Sequence, residues 1–351
     1  MPTSSPQRIV LAARPHGEPV ATDFRLENMA PTTPGPGEIL LRVLYLSLDP
    51  YMRGRMNDRK SYLPPLQIGE IMDGGTVAQV LQSNDSDYQV GDIVLSHSGW
   101  QTHAVVTAKQ ILRRLDPTKA PISTALGVYG MPGFTAWAAL DVIGKPRTGE
   151  TVVVAAASGP VGGTVGQVAR LRGARTVGIA GGAKKCAFVR DELGFDVALD
   201  HHATDFPAQL KAACPDGIDV YFENVGGAVW DAVLPLLNEF ARVPVCGLVA
   251  HYNDTALPPG PDRSAALMAN ILSRSLTVRG FIQREFVARY PQFWQEMGDW
   301  LRRGEVHYRE DIVDGLENAP AAFIHMLKGG NFGKLLIRVA AVDAATAEGK
   351  S

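Results

Sequence analysis

A chain of 351 residues has room for about two domains with substantial cores. Its 34 Lys and Arg against 36 Asp and Glu leave a formal net charge of -2, which argues against nucleic acid or an anionic membrane as a partner. The opening MPTSSPQRIVLAARPHGEP lacks the apolar core of a signal peptide, and no apolar run approaches the ~20 residues of a membrane span, so a soluble cytoplasmic protein is expected. Three widely spaced cysteines, Cys186, Cys214 and Cys246, give neither a disulfide framework nor a metal knuckle. Cys186 shares a helical stripe with Val189 and Leu193, and Cys246 sits in a strand-like run, so both read as small core residues.

From the N-terminus to Ile122 the signal is short strands between turns. Ile39 to Leu48 follows the breaker cluster Pro31 to Gly37, and Thr76 to Leu81 and Ile93 to Leu95 follow turns at Gly74-Gly75 and Gly91-Asp92. A β-rich domain, a partly closed barrel, is expected. Leu126 to Trp137 leads out of it, with Phe134, Trp137 and Ala138 on one helical face.

Thr151 to Gly182 organises the second half. Val152 to Ala156 is an unbroken apolar run bounded by turn residues, as in a strand buried on both faces of a parallel sheet. The turn Ser158-Gly159-Pro160-Val161-Gly162-Gly163 follows, and then Val161, Val165, Val168 and Ala169 recur at helical spacing. Strand, glycine turn and helix start come in the order that holds a dinucleotide pyrophosphate, although many glycine-rich turns bind nothing. A second strand, Thr176 to Ala180, ends where an NAD site would place a carboxylate for the ribose. Gly181-Gly182-Ala183-Lys184-Lys185 stands there instead. Two lysines and no carboxylate favour a ribose phosphate, hence NADPH over NADH. The plainer alternative is that the lysines only start a solvated helix.

Beyond Gly182, helix and strand alternate. Helices are expected at Lys184 to Leu193, Phe206 to Ala213, Ala228 to Phe240 and Ala265 to Ser273. Strands are expected at Val197 to Leu199, Ile218 to Phe222, Val243 to Val249 and Leu276 to Ile282. Such alternation means a parallel sheet with helices on both faces, and its ligands lie beyond the carboxyl ends of the strands. A helix over Pro291 to Arg303 precedes a tail with the strand-like Leu335 to Val339.

At Leu48-Asp49-Pro50-Tyr51-Met52-Arg53, Gly130-Met131-Pro132-Gly133-Phe134-Thr135-Ala136, Glu223-Asn224-Val225-Gly226-Gly227 and Leu257-Pro258-Pro259-Gly260-Pro261 the chain resembles the zinc-independent branch of the medium-chain dehydrogenase/reductases. This group contains prostaglandin reductases and plant alkenal double-bond reductases. The likeness runs from about Arg14 to Val339 and is closest to bacterial NADPH-dependent curcumin reductases, which share Gly181-Gly182-Ala183, Leu199-Asp200-His201-His202 and Asn331-Phe332-Gly333-Lys334.

The resemblance implies an α/β architecture, with a GroES-like β-rich domain over 1–130 and 309–351 and a Rossmann doubly wound parallel-sheet domain over 131–308. It implies that the backbone of Gly159, Pro160, Val161 and Gly162 holds the pyrophosphate, and that Lys185, beside Gly181, binds the ribose phosphate. His201 stands where many relatives carry a tyrosine. Asn224, Cys246, Gly247 and the chain on to Tyr252, Phe281 and Ile282, and Asn331 from the tail would line the rest of the cofactor. Where zinc-dependent relatives keep a cysteine ligand and a Gly-His-Glu, this chain has Ser47-Leu48-Asp49 and Ile68-Gly69-Glu70-Ile71, so no metal is expected. Relatives also imply a homodimer.

Without metal, the implied chemistry is hydride transfer from NADPH to the β-carbon of an α,β-unsaturated ketone or aldehyde. Charge then develops on the carbonyl oxygen, and a hydrogen-bond donor aimed at it lowers the barrier. A tyrosine hydroxyl, protonated at neutral pH, suits that role. Tyr252 is the first choice, beyond a sheet strand, with Tyr51 and Tyr62 of the β-rich domain next. Against each stands the plainer reading of a half-buried packing tyrosine. The other functions considered are a quinone reductase of the same superfamily and a non-catalytic NADPH-binding protein.

Overall fold

The computed structural model describes residues 5–257 and 260–342. Pro258 and Pro259 of the Leu257 to Pro261 motif, and the tail beyond 342, lie outside the described residues. The chain opens with β1 (Gln7–Leu11) and β2 (Phe24–Asn28), then β3 (Glu38–Ser47), the short helix α1 (Tyr51–Arg55), β4 (Thr76–Ser83), β5 (Ile93–Ser96), β6 (His103–Thr107) and β7 (Ile111–Leu115). Helix and strand then alternate through α2 (Met131–Ala139), β8 (Thr151–Ala155), α3 (Pro160–Leu171), β9 (Arg175–Ala180), α4 (Ala183–Asp191) and β10 (Val197–Asp200). The alternation continues with α5 (Phe206–Ala213), β11 (Ile218–Phe222), α6 (Gly227–Val233), β12 (Leu237–Val245), α7 (Ser264–Ser273) and β13 (Thr277–Gly280). Last come α8 (Tyr290–Arg302), β14 (Glu310–Asp314), α9 (Ala319–Leu327) and β15 (Lys334–Arg338).

These elements form two compact units. One comprises the chain up to Leu126, Glu310–Asn331 and the stretch from Leu335; the other comprises Gly127–Arg309 with Phe332–Lys334. In the first unit a seven-stranded sheet runs β14-β15-β3-β4-β5-β7, with β6 also on β3. Its apolar residues face inward in alternation, Ile39 and Leu41 of β3 meeting Val80 of β4 and Val94 of β5. A second cluster stacks Phe24 on Trp100, with Phe323 of α9 edge-on to both. The antiparallel pairing brings three strand ends together: Ser47 N donates to Gly75 O, and Thr76 Oγ1 lies 2.8 Å from Ser96 Oγ. The segments just beyond these ends carry Tyr51, Asp73 and His97.

In the second unit six parallel strands run β10-β9-β8-β11-β12-β13. Every residue of β8 is buried, as its continuous apolar run requires. The strand order reverses between β8 and β11, and the crevice beyond their carboxyl ends is where ligands of such sheets bind.

The largest departures from the sequence reading fall around β12. The helix expected through Phe240 stops at Val233, and Leu234-Pro235-Leu236 forms a single 3-10 turn before β12 starts at Leu237. Pro235 has no N–H to continue a helix, and Phe240, at φ +60 and largely exposed, marks an irregular step where β12 shifts register on β11. The strand expected through Val249 stops at Val245, because Cys246 N and Gly247 N both turn to Glu223 O.

Candidate functional site

The turn between β8 and α3 is set by Ala156, at φ +54. Gly159 is the helix N-cap, no side chain caps it, and Pro160 occupies the first turn. An ideal Cβ on Gly162 would fall 2.4 Å from Ala156 O and 2.9 Å from Ala157 Cα, so only glycine lets the helix start lie this close to the turn. The first N–H groups of α3 therefore start the helix without a capping side chain, close against the turn after β8.

At the end of β9, Gly182 sits at φ +85 and its N–H donates to Asp200 Oδ1 at 2.9 Å; His202 N donates to the same oxygen. These bonds hold the Asp200 carboxyl below its ordinary value. The rings of His201 and His202 are 4.0 Å apart, and both Nε2 atoms converge over Gly181, that of His201 3.2 Å and that of His202 3.0 Å from where its Cβ would stand. Burial, the neighbouring His202 and the charge of Lys185 hold His201 below the ordinary histidine value, against the pull of Asp200. Lys185 lies on the first turn of α4, half-buried.

Beyond β11, the Glu223 side chain is buried. Its Oε1 accepts from Val225 N at 2.7 Å, Gly226 N at 2.9 Å and Tyr221 Oη at 3.1 Å, while Oε2 is buried with no partner. Burial outweighs these donors and raises the carboxyl above its ordinary value. This clamp fixes the loop that carries Asn224, whose Nδ2 donates to Ala155 O at 3.0 Å across the strand-order reversal. The Cys246 thiol is pushed up to about 12 by burial and by Glu223, which leaves it unreactive. The Tyr252 hydroxyl folds back over its own loop, 3.0 Å from where a Gly247 Cβ would stand. Burial, with Cys246 adding to it, raises its pKa. The Phe281 ring is buried in edge-on and tilted contact with Phe222 and Phe286, so it can line a ligand only through its backbone. Ile282 is half-buried at the start of the next 3-10 turn, and Asn331 is half-buried just ahead of β15.

In the first unit, Tyr51 opens α1 and its Oη lies 3.4 Å from His97 Nε2. The same nitrogen is 2.6 Å from Asp73 Oδ1, and Asp73 Oδ2 pairs with Arg55 Nη1 at 2.5 Å. Burial of Asp73 is outweighed by the His97 hydrogen bond, the charges of His97 and Arg55 and the Gly74 N–H, so its carboxyl stays below the ordinary value. Burial raises Tyr51 well above the ordinary phenol value, with Asp73, Asp49 and Tyr62 adding to it. Tyr62 is 42% exposed. Sequence reasoning passed over Asp73, His97 and Arg55: Asp73 precedes Gly74-Gly75 and reads as turn, and nothing in Ser96-His97-Ser98 marks the histidine out.

The uncapped helix start, the glycine surface and the cationic end of β9 are the donor set that a phosphorylated dinucleotide needs. Among the described residues no group of three or more His, Cys, Asp or Glu side chains is placed to hold a metal ion, and no helix is long and apolar enough to cross a membrane. Residues 7–113 match the family described as the N-terminal domain of oxidoreductase, and residues 160–301 match the one described as zinc-binding dehydrogenase. The chain is 58% identical to the NADPH-dependent curcumin reductase of Escherichia coli (strain K12), over 96% of this chain and 98% of that one. It is 39% identical to prostaglandin reductase 1 of Oryctolagus cuniculus, over 91% of this chain and 89% of the relative. The crystal structure of CurA from Vibrio vulnificus in complex with NADPH matches with a TM-score of 0.92 at 52% identity, over 95% of this chain and 99% of that one. The chain belongs to the medium-chain dehydrogenase/reductase family, in the group that contains the curcumin and prostaglandin reductases.

Proposed function

We propose that this protein reduces the carbon-carbon double bond of α,β-unsaturated ketones and aldehydes with NADPH as cofactor. The observation that carries the reading is the 58% identity, over 96% of the chain, to a curcumin reductase that is NADPH-dependent by name. When bound, NADPH supplies the hydride that adds to the β-carbon of the substrate. In this reading the backbone from Gly159 to Gly162 holds the pyrophosphate, with Val161 and Gly162 supplying the N–H groups, and Lys185 with His201 pairs with the ribose phosphate. Asn224, held by its bond to Ala155 O, orients the loop beside them. Tyr252 donates to the oxygen on which enolate charge develops, with Tyr51 and Tyr62 as the further phenols. Burial raises the Tyr252 pKa, so the hydroxyl keeps its proton at neutral pH and can donate it. The division of labour follows the chain: residues 131–308 carry the cofactor groups other than Asn331, which joins them from the tail, and 1–130 with 309–351 carry Tyr51 and Tyr62.

The reading includes a cytoplasmic homodimer. β13 is the bare edge of its sheet, all four of its residues are exposed, and Leu272 and Met268 of α7 are 83% and 62% exposed. An open edge with apolar neighbours is suited to a second copy of the same chain, related by a two-fold axis. Light scattering should return twice the 37.7 kDa chain mass.

The test of the activity is the loss of reduced-nicotinamide absorbance with a panel of aromatic and aliphatic enones and, in parallel, quinones. Turnover of enones that survives dialysis against a strong chelator supports the reading. Turnover of quinones alone replaces it with a quinone reductase, and no turnover with any substrate leaves a cofactor-binding protein.

A further inference from the structure

Tyr51, His97, Asp73 and Arg55 form a line in which every member but one is shielded. The Asp73 and Arg55 side chains are 10% and 17% exposed, whereas the His97 ring is 47% exposed. Asp73, ionised between Arg55 and His97, lies 2.6 Å from Nε2, so that nitrogen carries a proton. The Tyr51 oxygen, 3.4 Å from the same nitrogen, is on the accepting side of the contact. Its own hydrogen is then left for an acceptor other than the ring. A packing tyrosine needs none of this, and a buried ion pair between Asp73 and Arg55 needs no histidine.

We infer that His97, held by Asp73, resupplies the proton that Tyr51 delivers to the reduced substrate. The inference rests on the enone-reductase reading, because hydride addition leaves a carbanion equivalent that must gain one proton. The Tyr51 O–H bond breaks as its proton passes to the enolate, and a new O–H bond forms as the His97 Nε2–H passes to the phenolate. The ring takes a proton from water at Nδ1 in the same step, so its charge is unchanged. Its Nε2 lone pair then faces the Asp73 carboxylate, which favours return to the Nε2–H tautomer by proton exchange with water. The net supply is one solvent proton per hydride. The charged and titratable groups facing this line are Asp73, Arg55, Asp49 and Tyr62. His97 is thus a positioning residue that acts through Tyr51.

The experiment compares His97→Gln, Asp73→Asn and Tyr51→Phe with the unmutated chain. His97→Gln should lower kcat on the order of 10²-fold, the lower end for losing a positioned proton donor. It should also enlarge the solvent deuterium isotope effect and leave the KM for NADPH unchanged. Added imidazole should restore turnover to His97→Gly. Asp73→Asn should act in the same direction and flatten the pH profile of kcat. A second readout needs no substrate: the ultraviolet difference titration of the Tyr51 phenol, isolated by subtracting Tyr51→Phe, should move when His97 is replaced. Wild-type kcat and isotope effect in a folded, NADPH-binding His97→Gln protein would overturn the inference, as would a Tyr51 titration indifferent to His97. If the unmutated chain reduces no enone while the Tyr51 titration still follows His97, the enone reading fails and the proton delivery to substrate falls with it.

Discussion

The carbonyl oxygen of Ala156 stands 2.4 Å from the point where a Cβ on Gly162 would be. Ala156 takes a left-handed φ of +54 to turn the chain out of β8, and Gly162 is the residue of α3 that slides beneath that turn. Gly162→Ala must push the helix start away. It is expected to cost about 1–3 kcal/mol of stability, the usual range for overpacking, and to weaken NADPH binding more than tenfold because the phosphate-facing N–H groups move with the helix. Urea unfolding and fluorescence titration with NADPH measure the two effects separately. A variant of unchanged affinity would mean that the pyrophosphate does not lie at this turn.

Cofactor choice is expected to depend on Lys185. Its ammonium stands on the first turn of α4, near enough to His201 for its charge to be felt there. Lys185→Ala should raise the KM for NADPH on the order of tenfold and leave NADH little changed, because only NADPH carries the ribose phosphate. Equal use of the two cofactors by the unmutated chain would remove the phosphate from this place.

The histidine pair makes that choice sensitive to pH. His201 is held below its ordinary value of 6.5 by burial, His202 and Lys185, so at pH 7 it is neutral in the free protein. A phosphate dianion favours the imidazolium, so binding takes up a proton. The preference for NADPH over NADH should therefore grow as pH falls towards the free ring's lowered value. The sign for folding is the opposite. Below about pH 6.5 the unfolded chain takes the proton more readily than the folded one, so the free protein loses stability as pH falls. Calorimetric titration in buffers of different ionisation heat would read the proton uptake, and His201→Gln should abolish it.

What could be read from the chain differs between the two units for a physical reason. Parallel strands buried on both faces leave continuous apolar runs, so β8 and β9 with the intervening glycine turn were visible in Val152 to Ala156 and Thr176 to Ala180. The carboxyl end of β9 leads to Gly181 and Lys185, and that of β11 leads to Asn224. The failures came where a local exception overrode the pattern, as at Pro235 and the positive φ of Phe240 ahead of Ala241. The Tyr51, Asp73 and His97 constellation was not legible. Its members follow or precede three strands whose pairing, β3 on β4 and β4 on β5, is fixed only by the folded sheet.

Tyr252 and Tyr51 are expected to fail in different ways, and the difference decides what each phenol does. Burial, with Cys246 adding to it, raises the Tyr252 pKa, and no histidine is among the groups that shift it. Such a hydroxyl can stabilise charge on an enolate oxygen but has no ring to refill it. Tyr252→Phe keeps the aromatic ring and deletes only that donor, so kcat should fall on the order of 10²-fold, the lower range for one oxyanion donor, with NADPH affinity unchanged. Its solvent isotope effect should match the unmutated chain, since proton delivery is intact, whereas Tyr51→Phe should change it. If Tyr252→Phe turns over at the unmutated rate, the oxyanion donor is not Tyr252. If both variants and Tyr62→Phe remain fully active, no phenol takes part, and water or the cofactor ribose must deliver the proton.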